Sequence, residues 1–195
     1  MNTGDRQPYR VVDVEQGTEV WHNWRDQGLG ASDAPVVMGE NPWKSRAELL
    51  HEKRLRIRPP VNSAMARGTA LEPTARRCYV ERTGIEVHPA CLQSTRFEWL
   101  RASVDGLSSD GRSVVEIKCG EGVYKKSAST GRVPGYYIGQ LQHILAVTGL
   151  EAIDFWCYLP RRSEVHLLVE RDEHYIERLL VAEEKFWNEL QKNLT

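Results

Sequence analysis

The sequence lacks any apolar run long enough to cross a membrane, and its first residues lack the charged and apolar regions of a signal peptide. We therefore expect a cytoplasmic protein that has no membrane partner. Close cysteine pairs are also missing, since Cys78, Cys91, Cys119 and Cys157 lie far apart without histidines at metal-ligand spacing. This pattern argues against zinc, redox and iron–sulfur sites and predicts buried free thiols.

The chain has little net charge, −1 at pH 7, but this balance does not exclude a nucleic-acid partner. What matters for such a partner is how the charges are distributed. Basic residues concentrate in four places: His51–Arg58, Arg76–Arg77, Lys125–Lys126 and Arg161–Arg162. Acidic residues concentrate toward the C-terminus. The separation favours a protein with one basic face, although solvated surface charge explains any single cluster equally well.

Repeats, low-complexity tracts and a convincing interdomain linker are absent too, so the 195 residues are interpreted as one domain. The one Pro-rich break, Arg56–Gly68, is predicted to be a loop. A short helix is predicted to begin with Ser32 or Asp33 as its N-cap and to end near Gly39. Another helix is predicted from Gly68 to Gly84, with proline early and glycine at its end.

Further along the chain, alternating apolar residues predict five strands: IEVHPACLQS, WLRASVDGL, SVVEIKC, AIDFWCYLP and EVHLLVE. Helical spacing predicts two helices: YYIGQLQHILAVTG and DEHYIERLLVAEEKFWNELQKN. Strands in the middle with helices on both sides predict an α/β domain with a central mixed β-sheet flanked by helices.

The segment SVDGLSSDGRSVVEIKC, residues 103–119, contains the most suggestive polar residues. Its Asp-Gly turn predicts a hairpin that brings Asp105 beside Glu116. Residues i and i+2 of a strand share a face, so Glu116 and Lys118 project together while Ile117 points into the core. Two carboxylates and the Ile117 carbonyl form an all-oxygen set, which suits Mg²⁺ or Mn²⁺.

Lys118 beside these carboxylates can orient or help to deprotonate a water and offset phosphate charge, as metal-assisted phosphodiester hydrolysis requires. Taken alone, such a short pattern is more typical of a charge pair on an exposed edge hairpin. The surrounding segments decide between these interpretations.

The spacing D-x(10)-E-x-K resembles the PD-(D/E)XK nuclease superfamily, whose core is restriction-endonuclease-like. Within it, the chain resembles the phage lambda-type exonuclease family, also called the viral recombinase or YqaJ family. The similar segments run in the family's order from about Val20 to Pro160: WHNWR, GLGASD, NPW, RGTALEPTAR, SVDG, EIKC and YYIGQLQHILAVTG. One departure is Val104, which stands where the superfamily has a proline.

The resemblance implies that Asp105, Glu116 and the Ile117 carbonyl bind the metals, with Glu72 completing a second metal position. It implies that Lys118 is the catalytic lysine and that Gln140 positions the water or a phosphate. These roles are implied by the family and not by spacing alone.

By the same resemblance, Arg25 and Ser32 hold the 5′-terminal phosphate of DNA. A guanidinium can bind such a phosphate with two hydrogen bonds, and a helix N-terminus at Ser32 adds backbone donors. Tyr137, one turn before Gln140, is a further candidate for DNA contact.

Each of these residues also has an ordinary structural interpretation. Glu72 suits a helix N-terminus, Tyr137 a core or interface, and Ser32 a simple cap. Gln142 is expected to face solvent, and the histidines are expected to be structural.

For the whole chain, residues 1–195, the resemblance implies a Mg²⁺-dependent exonuclease that degrades one strand of linear double-stranded DNA in the 5′→3′ direction. It leaves 3′ single strands for recombination by a single-strand annealing protein, works as a ring-shaped homotrimer, and is encoded by a bacterium, phage or prophage; Mn²⁺ is expected to replace Mg²⁺. The catalytic core would span about 66–160, a helical DNA-end-binding segment about 18–58, and a C-terminal strand and acidic helix about 163–193. The alternatives are an endonuclease of restriction or repair type and a catalytically silent DNA-end-binding module.

Overall fold

A computed structural model of the protein describes residues 7–58, 60 and 62–192. Its elements in chain order are β1 Tyr9–Val12, α1 Glu19–Asp26, β2 Leu29–Gly30, α2 Ala34–Val37, α3 Arg46–Leu55, α4 Ser63–Thr83, β3 Val87–Ser94, β4 Leu100–Ser108, β5 Val114–Lys118, α5 Glu121–Thr130, α6 Ile138–Thr148, β6 Ala152–Cys157, β7 Val165–Glu170 and α7 Glu173–Gln191. Single 3₁₀ turns, Ala31–Asp33 and Gly135–Tyr137, precede α2 and α6. None of the described helices is both long and apolar enough to span a membrane.

The strands form one mixed sheet in the order β1-β3-β4-β5-β6-β7, and β2 pairs with the start of β4. Only β5–β6 and β2–β4 run parallel, and α5 and α6 supply the crossover that a parallel neighbour requires. The predicted α/β fold is thereby confirmed. Because β5 lies between β4 and β6, and Glu116 is 3% exposed, the exposed-edge interpretation of the hairpin is wrong.

Helices cover both faces of the sheet. On one face, α6 inserts Leu141, Ile144 and Leu145 into the largest core cluster, together with Phe155 of β6. On the other face, α4 packs against β5 and β6 through its apolar stripe. Ala75 and Tyr79 of this stripe are fully buried, and Ile117 lies against them. Strand β5 therefore reaches the middle of the molecule with a helix on either side.

Strand β4 contains a β-bulge beside the predicted acidic residues. The register of β3 against β4 shifts between His88 and Ala90, so that Pro89 alone lies opposite Asp105 and Gly106. Proline cannot donate to a sheet ladder and is tolerated at such a position. Bulges occur next to active sites because the extra residue redirects neighbouring side chains.

Two features follow from this bulge. Val104 and Leu107, three positions apart, both join the core cluster under α6, which strict alternation along a strand would forbid. At Gly106, an added Cβ would lie 2.7 Å from methyl groups of both Val87 and Val115. Close packing inside the sheet therefore requires a glycine at position 106.

The predicted loop Arg56–Gly68 is partly wrong. Helix α4 begins at Ser63, because the Asn62 side chain caps it by accepting a hydrogen bond of 2.9 Å from the Met65 N–H. Gly68 therefore lies inside the helix, five residues after its start. Positions 59 and 61 of the predicted loop lie outside the described residues, as does residue 193 of the predicted C-terminal segment.

Three local expectations also need correction. Of the two predicted caps, Asp33 does occupy the N-cap position of α2, but its buried side chain pairs with Lys53 at 2.8 Å and makes no capping hydrogen bond to this helix, and Ser32 lies inside the preceding 3₁₀ turn. Tyr137 ends the second 3₁₀ turn, so the predicted helix begins only at Ile138. Gln142 is buried, not solvent-facing, because its amide bonds the backbone at the end of β7. All four cysteines are free thiols, as expected.

Candidate active site

The hairpin of β4 and β5 brings Asp105 and Glu116 together. Gly106 pairs with Val115, and the same register sets Asp105 opposite Glu116. The Ile117 N–H donates a 2.7 Å hydrogen bond to Asp105 Oδ2. Since the N–H and C=O of one strand residue point to the same side, the Ile117 carbonyl is also directed toward Asp105. The hairpin therefore places Asp105 beside Glu116 and ties it to the backbone of Ile117.

Glu116, Lys118 and Gln140 form a closed triangle of hydrogen bonds. Lys118 Nζ donates to Glu116 Oε1 at 2.5 Å and to Gln140 Oε1 at 3.3 Å. Gln140 Nε2 donates to Glu116 Oε1 at 2.6 Å. Tyr137 also contacts the lysine, because Lys118 Nζ lies 4.7 Å from the centroid of the Tyr137 ring. Helix α6 and strand β5 thus fix the position of the lysine together.

Glu72 on α4 is held at the edge of this cluster by Arg76, a residue that the sequence analysis did not select. Arg76 forms an ion pair with Glu72 and donates from Nε to the backbone carbonyl of Asp105 at 2.6 Å. It therefore ties α4 to the bulge in β4. As the side chains stand, Glu72 faces Arg76 rather than the other two carboxylates.

The electrostatics of the cluster are those of crowded carboxylates. Burial raises the pKa of Asp105 well above its usual value, and the negative charges of Glu116 and Glu72 raise it further. Burial likewise raises the pKa of Glu72 against the opposing effect of Arg76. For Lys118, burial lowers the pKa, but Glu116 and Asp105 outweigh it and the net pKa is raised. In this arrangement Lys118 is an ammonium group.

The donor set fits a divalent cation at Asp105 and Glu116. Glu116 Oε2 is buried and has no hydrogen-bond partner among the described residues. A cation would stabilise such an unpaired carboxylate oxygen beside Asp105. Oxygen donors are also the ligands that Mg²⁺ and Mn²⁺ prefer. Within residues 7–58, 60 and 62–192, no group of three or more acidic, histidine or cysteine side chains is close enough to form a complete site. A cation bound here would therefore need a donor beyond these side chains, and the Ile117 carbonyl is the one that the sequence predicts.

A cavity of about 200 Å³ connects these carboxylates to the residues predicted to hold a terminal phosphate. Its walls include the following six side chains: Trp21, Arg25, Ser32, Asp105, Glu116 and Gln140. Lys118 is not among the lining residues, but it donates hydrogen bonds to two residues that are, Glu116 and Gln140. Arg25 and Glu116, which lie 91 positions apart in sequence, therefore face the same cavity.

Arg25 is held in a defined orientation at this cavity. Its guanidinium donates a hydrogen bond to Ser32 Oγ and lies 5.1 Å from the centroid of the Trp21 ring. Trp21 is itself fixed by a 2.8 Å hydrogen bond from Nε1 to Ser103 Oγ on β4. A Cβ on Gly30 would lie 3.1 Å from Arg25 Nε, so the second glycine of GLGASD leaves room for the side chain.

Sequence reasoning missed the residues that position this site rather than those that form it. These residues act through contacts between distant segments, which no local pattern predicts. Arg76 bonds the Asp105 carbonyl, and Trp21 bonds Ser103. The one available signal was Pro89 within a predicted strand, which favours a bulge or an edge.

Comparison with known proteins assigns the family. Residues 20–151 match the YqaJ-like viral recombinase domain. The chain belongs to this family. A YqaJ-like relative, the uncharacterized protein YqaJ of Bacillus subtilis (strain 168), is 28% identical over 195 residues. The match covers 96% of this chain but 60% of that relative, so the chain spans well under two thirds of the relative's length.

Solved structures with the same YqaJ-like fold include an alkaline exonuclease, LHK-Exo, from Laribacter hongkongensis. It is 32% identical with a TM-score of 0.80, and the match covers 90% of this chain and 93% of that one. LHK-Exo in complex with dAMP gives the same TM-score at 30% identity. A phage related exonuclease from Haemophilus somnus 129PT, 14% identical with a TM-score of 0.60, covers 90% of this chain and 100% of its own, and shares the fold.

Proposed function

We propose that the protein is a metal-dependent 5′→3′ exonuclease that degrades one strand of linear double-stranded DNA. The observation that carries this proposal is the shared cavity, in which Arg25 and Ser32 face Asp105 and Glu116. This cavity therefore brings the residues proposed to hold a terminal phosphate next to those proposed to cleave the strand. The likeness to an alkaline exonuclease, also solved with dAMP, supports the same class of activity.

In this proposal Asp105, Glu116 and the Ile117 carbonyl hold Mg²⁺ or Mn²⁺, and Glu72 contributes to a second position when it leaves Arg76. The bound cation supplies an activated water at neutral pH and stabilises the leaving oxygen. Lys118, fixed by Glu116 and Gln140, offsets the charge of the scissile phosphate. Gln140 and Tyr137 hold that lysine and orient the water or phosphate beside it.

We further propose that the 3′ single strands left by this reaction are taken up by a single-strand annealing protein, and that three copies of the chain form a ring. A ring supports DNA binding by a near-neutral chain, because a basic lining can be combined with an acidic outer surface. Light scattering in solution tests the ring, since the proposal requires the mass of three chains.

The activity is tested with linear duplex DNA and covalently closed circles of the same sequence. With Mg²⁺, a 5′ label on linear DNA is expected to be released before a 3′ label, while circles remain intact and EDTA stops the reaction. Circles that are cut as fast as linear DNA would indicate an endonuclease of restriction or repair type. Linear DNA that is bound but left intact across Mg²⁺, Mn²⁺ and pH would indicate a silent end-binding module.

Arg25→Ala is expected to lower the preference for 5′-phosphorylated over 5′-hydroxyl ends by roughly ten- to a hundred-fold. This range corresponds to the loss of a hydrogen bond to a charged group, about 1.5–3 kcal/mol. The measurement is the ratio of initial rates on the two kinds of end. Arg96→Ala is the matched control, because Arg96 also lies over an aromatic ring, that of Phe97, at 4.9 Å. If Arg25→Ala slows both ends equally, the phosphate-binding role is wrong.

A further inference from the structure

An aromatic ladder leads from the catalytic cluster to the molecular surface. Tyr137, which lies against Lys118, has its ring centroid 4.8 Å from that of Tyr136. Tyr136 in turn lies 4.7 Å from Trp43, with an interplanar angle of 76°. Three aromatic rings thus connect the candidate catalytic lysine with the loop before α3.

Trp43 ends this ladder as an unusually exposed side chain. It is 71% exposed, whereas each of the other five tryptophans, all described by the structure, is buried or half-buried. The exposure is built into the turn, because Asn41 Oδ1 accepts hydrogen bonds from the Trp43 N–H at 2.8 Å and the Lys44 N–H at 2.9 Å. This side-chain cap fixes the backbone in a conformation that leaves the indole outside the core.

A basic side chain accompanies the aromatic surface. Lys126 of α5 places Nζ 5.3 Å from the centroid of the Tyr136 ring and makes no salt bridge to any residue the structure describes. The neighbouring Lys44 is by contrast paired with Glu52 at 2.5 Å. Trp43 is exposed and Tyr136 is half-buried. An exposed aromatic ring next to an unneutralised cation is suited to single-stranded nucleic acid, since a base stacks on the ring and the cation contacts the phosphate.

We propose that the Trp43 ring, supported edge-on by Tyr136, is a stacking platform for an unpaired nucleobase of DNA, with Lys126 contacting an adjacent phosphate. The platform rests on the proposed nuclease function and adds the chemistry that holds a separated strand beside the site. Its continuity with Tyr137 and Lys118 through ring contacts places it next to the reacting strand. Stacking of this kind is tolerant of sequence, because every base has an aromatic face.

The platform is tested by binding in EDTA, where no cleavage complicates the measurement. The probes are a fluorescently labelled, 5′-phosphorylated oligothymidine and an abasic oligomer of the same length, both followed by anisotropy. Trp43→Ala is expected to weaken binding of oligothymidine about ten-fold, within the range for truncating a base-stacking aromatic, and to leave abasic binding unchanged. Trp43→Phe should retain most of the affinity.

Lys126→Ala is expected to reduce the slope of log affinity against log salt by about 0.7, the value for one phosphate contact on a single strand. Leu168→Ala, which truncates an equally apolar side chain with 64% exposure on β7, is the matched control and should bind normally. Unchanged binding by Trp43→Ala, or equal weakening for oligothymidine and the abasic oligomer, would overturn the platform. The nuclease function is tested separately, by measuring whether the wild type shortens linear duplex DNA. A failure of the platform can therefore be told apart from a failure of the nuclease.

Discussion

Lys118→Ala is expected to abolish cleavage of linear duplex DNA, with a loss of roughly a thousand-fold in rate, while the protein stays folded. Removing one preorganised electrostatic donor from an active site costs a factor of about 10²–10³. Lys118 is such a donor, because Glu116 and Gln140 hold its Nζ at 2.5 and 3.3 Å before any substrate binds. The rate is measured on 5′-phosphorylated linear duplex at saturating Mg²⁺.

Two further variants make the interpretation specific. Lys118→Gln keeps a hydrogen-bond donor for Glu116 and is expected to be equally inactive, which separates charge from folding. Lys125→Ala removes an exposed lysine that pairs with Glu121 and should cleave normally. A Lys118→Gln protein that retains even a tenth of the wild-type rate would contradict the catalytic assignment.

Thermal melting distinguishes the role of Lys118 from the role of the proposed metal ligands. A ligand that binds only the folded state raises the melting temperature, so Mg²⁺ or Mn²⁺ should stabilise the wild type and the inactive Lys118→Gln protein. Asp105→Asn should lose this stabilisation together with activity. If Asp105→Asn retains the full metal-dependent shift, Asp105 is not a ligand.

Glu183→Ala is expected to lower the free energy of unfolding by about 3–5 kcal/mol, the typical cost of removing one partner of a buried ion pair. Glu183 of α7 and His143 of α6 are both fully buried, and Glu183 Oε1 lies 2.7 Å from His143 Nδ1. His143 Nε2 lies 2.8 Å from the carbonyl of Arg101 on β4 and donates to it. The pair therefore connects two helices to the strand that leads into the bulge.

The same pair predicts a pH dependence. Burial lowers the pKa of His143, but Glu183 and the Arg101 carbonyl outweigh this effect and hold the pKa above 6.5. A raised pKa in the folded state contributes stability that is fully present below about pH 6.5 and is lost as the pH rises through the folded value. Urea unfolding should therefore show a larger difference between the wild type and Glu183→Ala at pH 6 than at pH 9. Glu184→Ala, at the exposed neighbouring position, is the control and should change stability little at either pH.

Local patterns predicted the elements that are encoded within one continuous segment. Alternation predicted β3 to β7, and helical spacing predicted α4, α6 and α7, because each of these signals is contained in one continuous segment. The D-x(10)-E-x-K spacing brought Asp105, Glu116 and Ile117 together because a hairpin is itself a local structure.

What local patterns did not predict are contacts between distant segments. Nothing in the sequence identified His143 as the partner of Glu183, which lies 40 residues later in the chain. Gln142 was expected to face solvent because a polar residue on a helix usually does, and the backbone at the end of β7 overrode that preference. Arg76 was noted only as part of a basic cluster, although it bonds the bulge.

The bulge at Asp105 and Gly106 sets the phase of the strand. Upstream and downstream of it, β4 alternates out of step by one residue, so deleting one residue here would restore a single alternation, keep Val104 and Leu107 on the same face, and remove the bulge that redirects Asp105. Insertions in the Ser108–Arg112 turn, on the far side of the paired positions, leave that phase intact. The position of Asp105 beside Glu116 therefore depends on the number of residues at the bulge far more than on the number in the turn. The turn is where this hairpin can vary in length without moving Asp105 from Glu116.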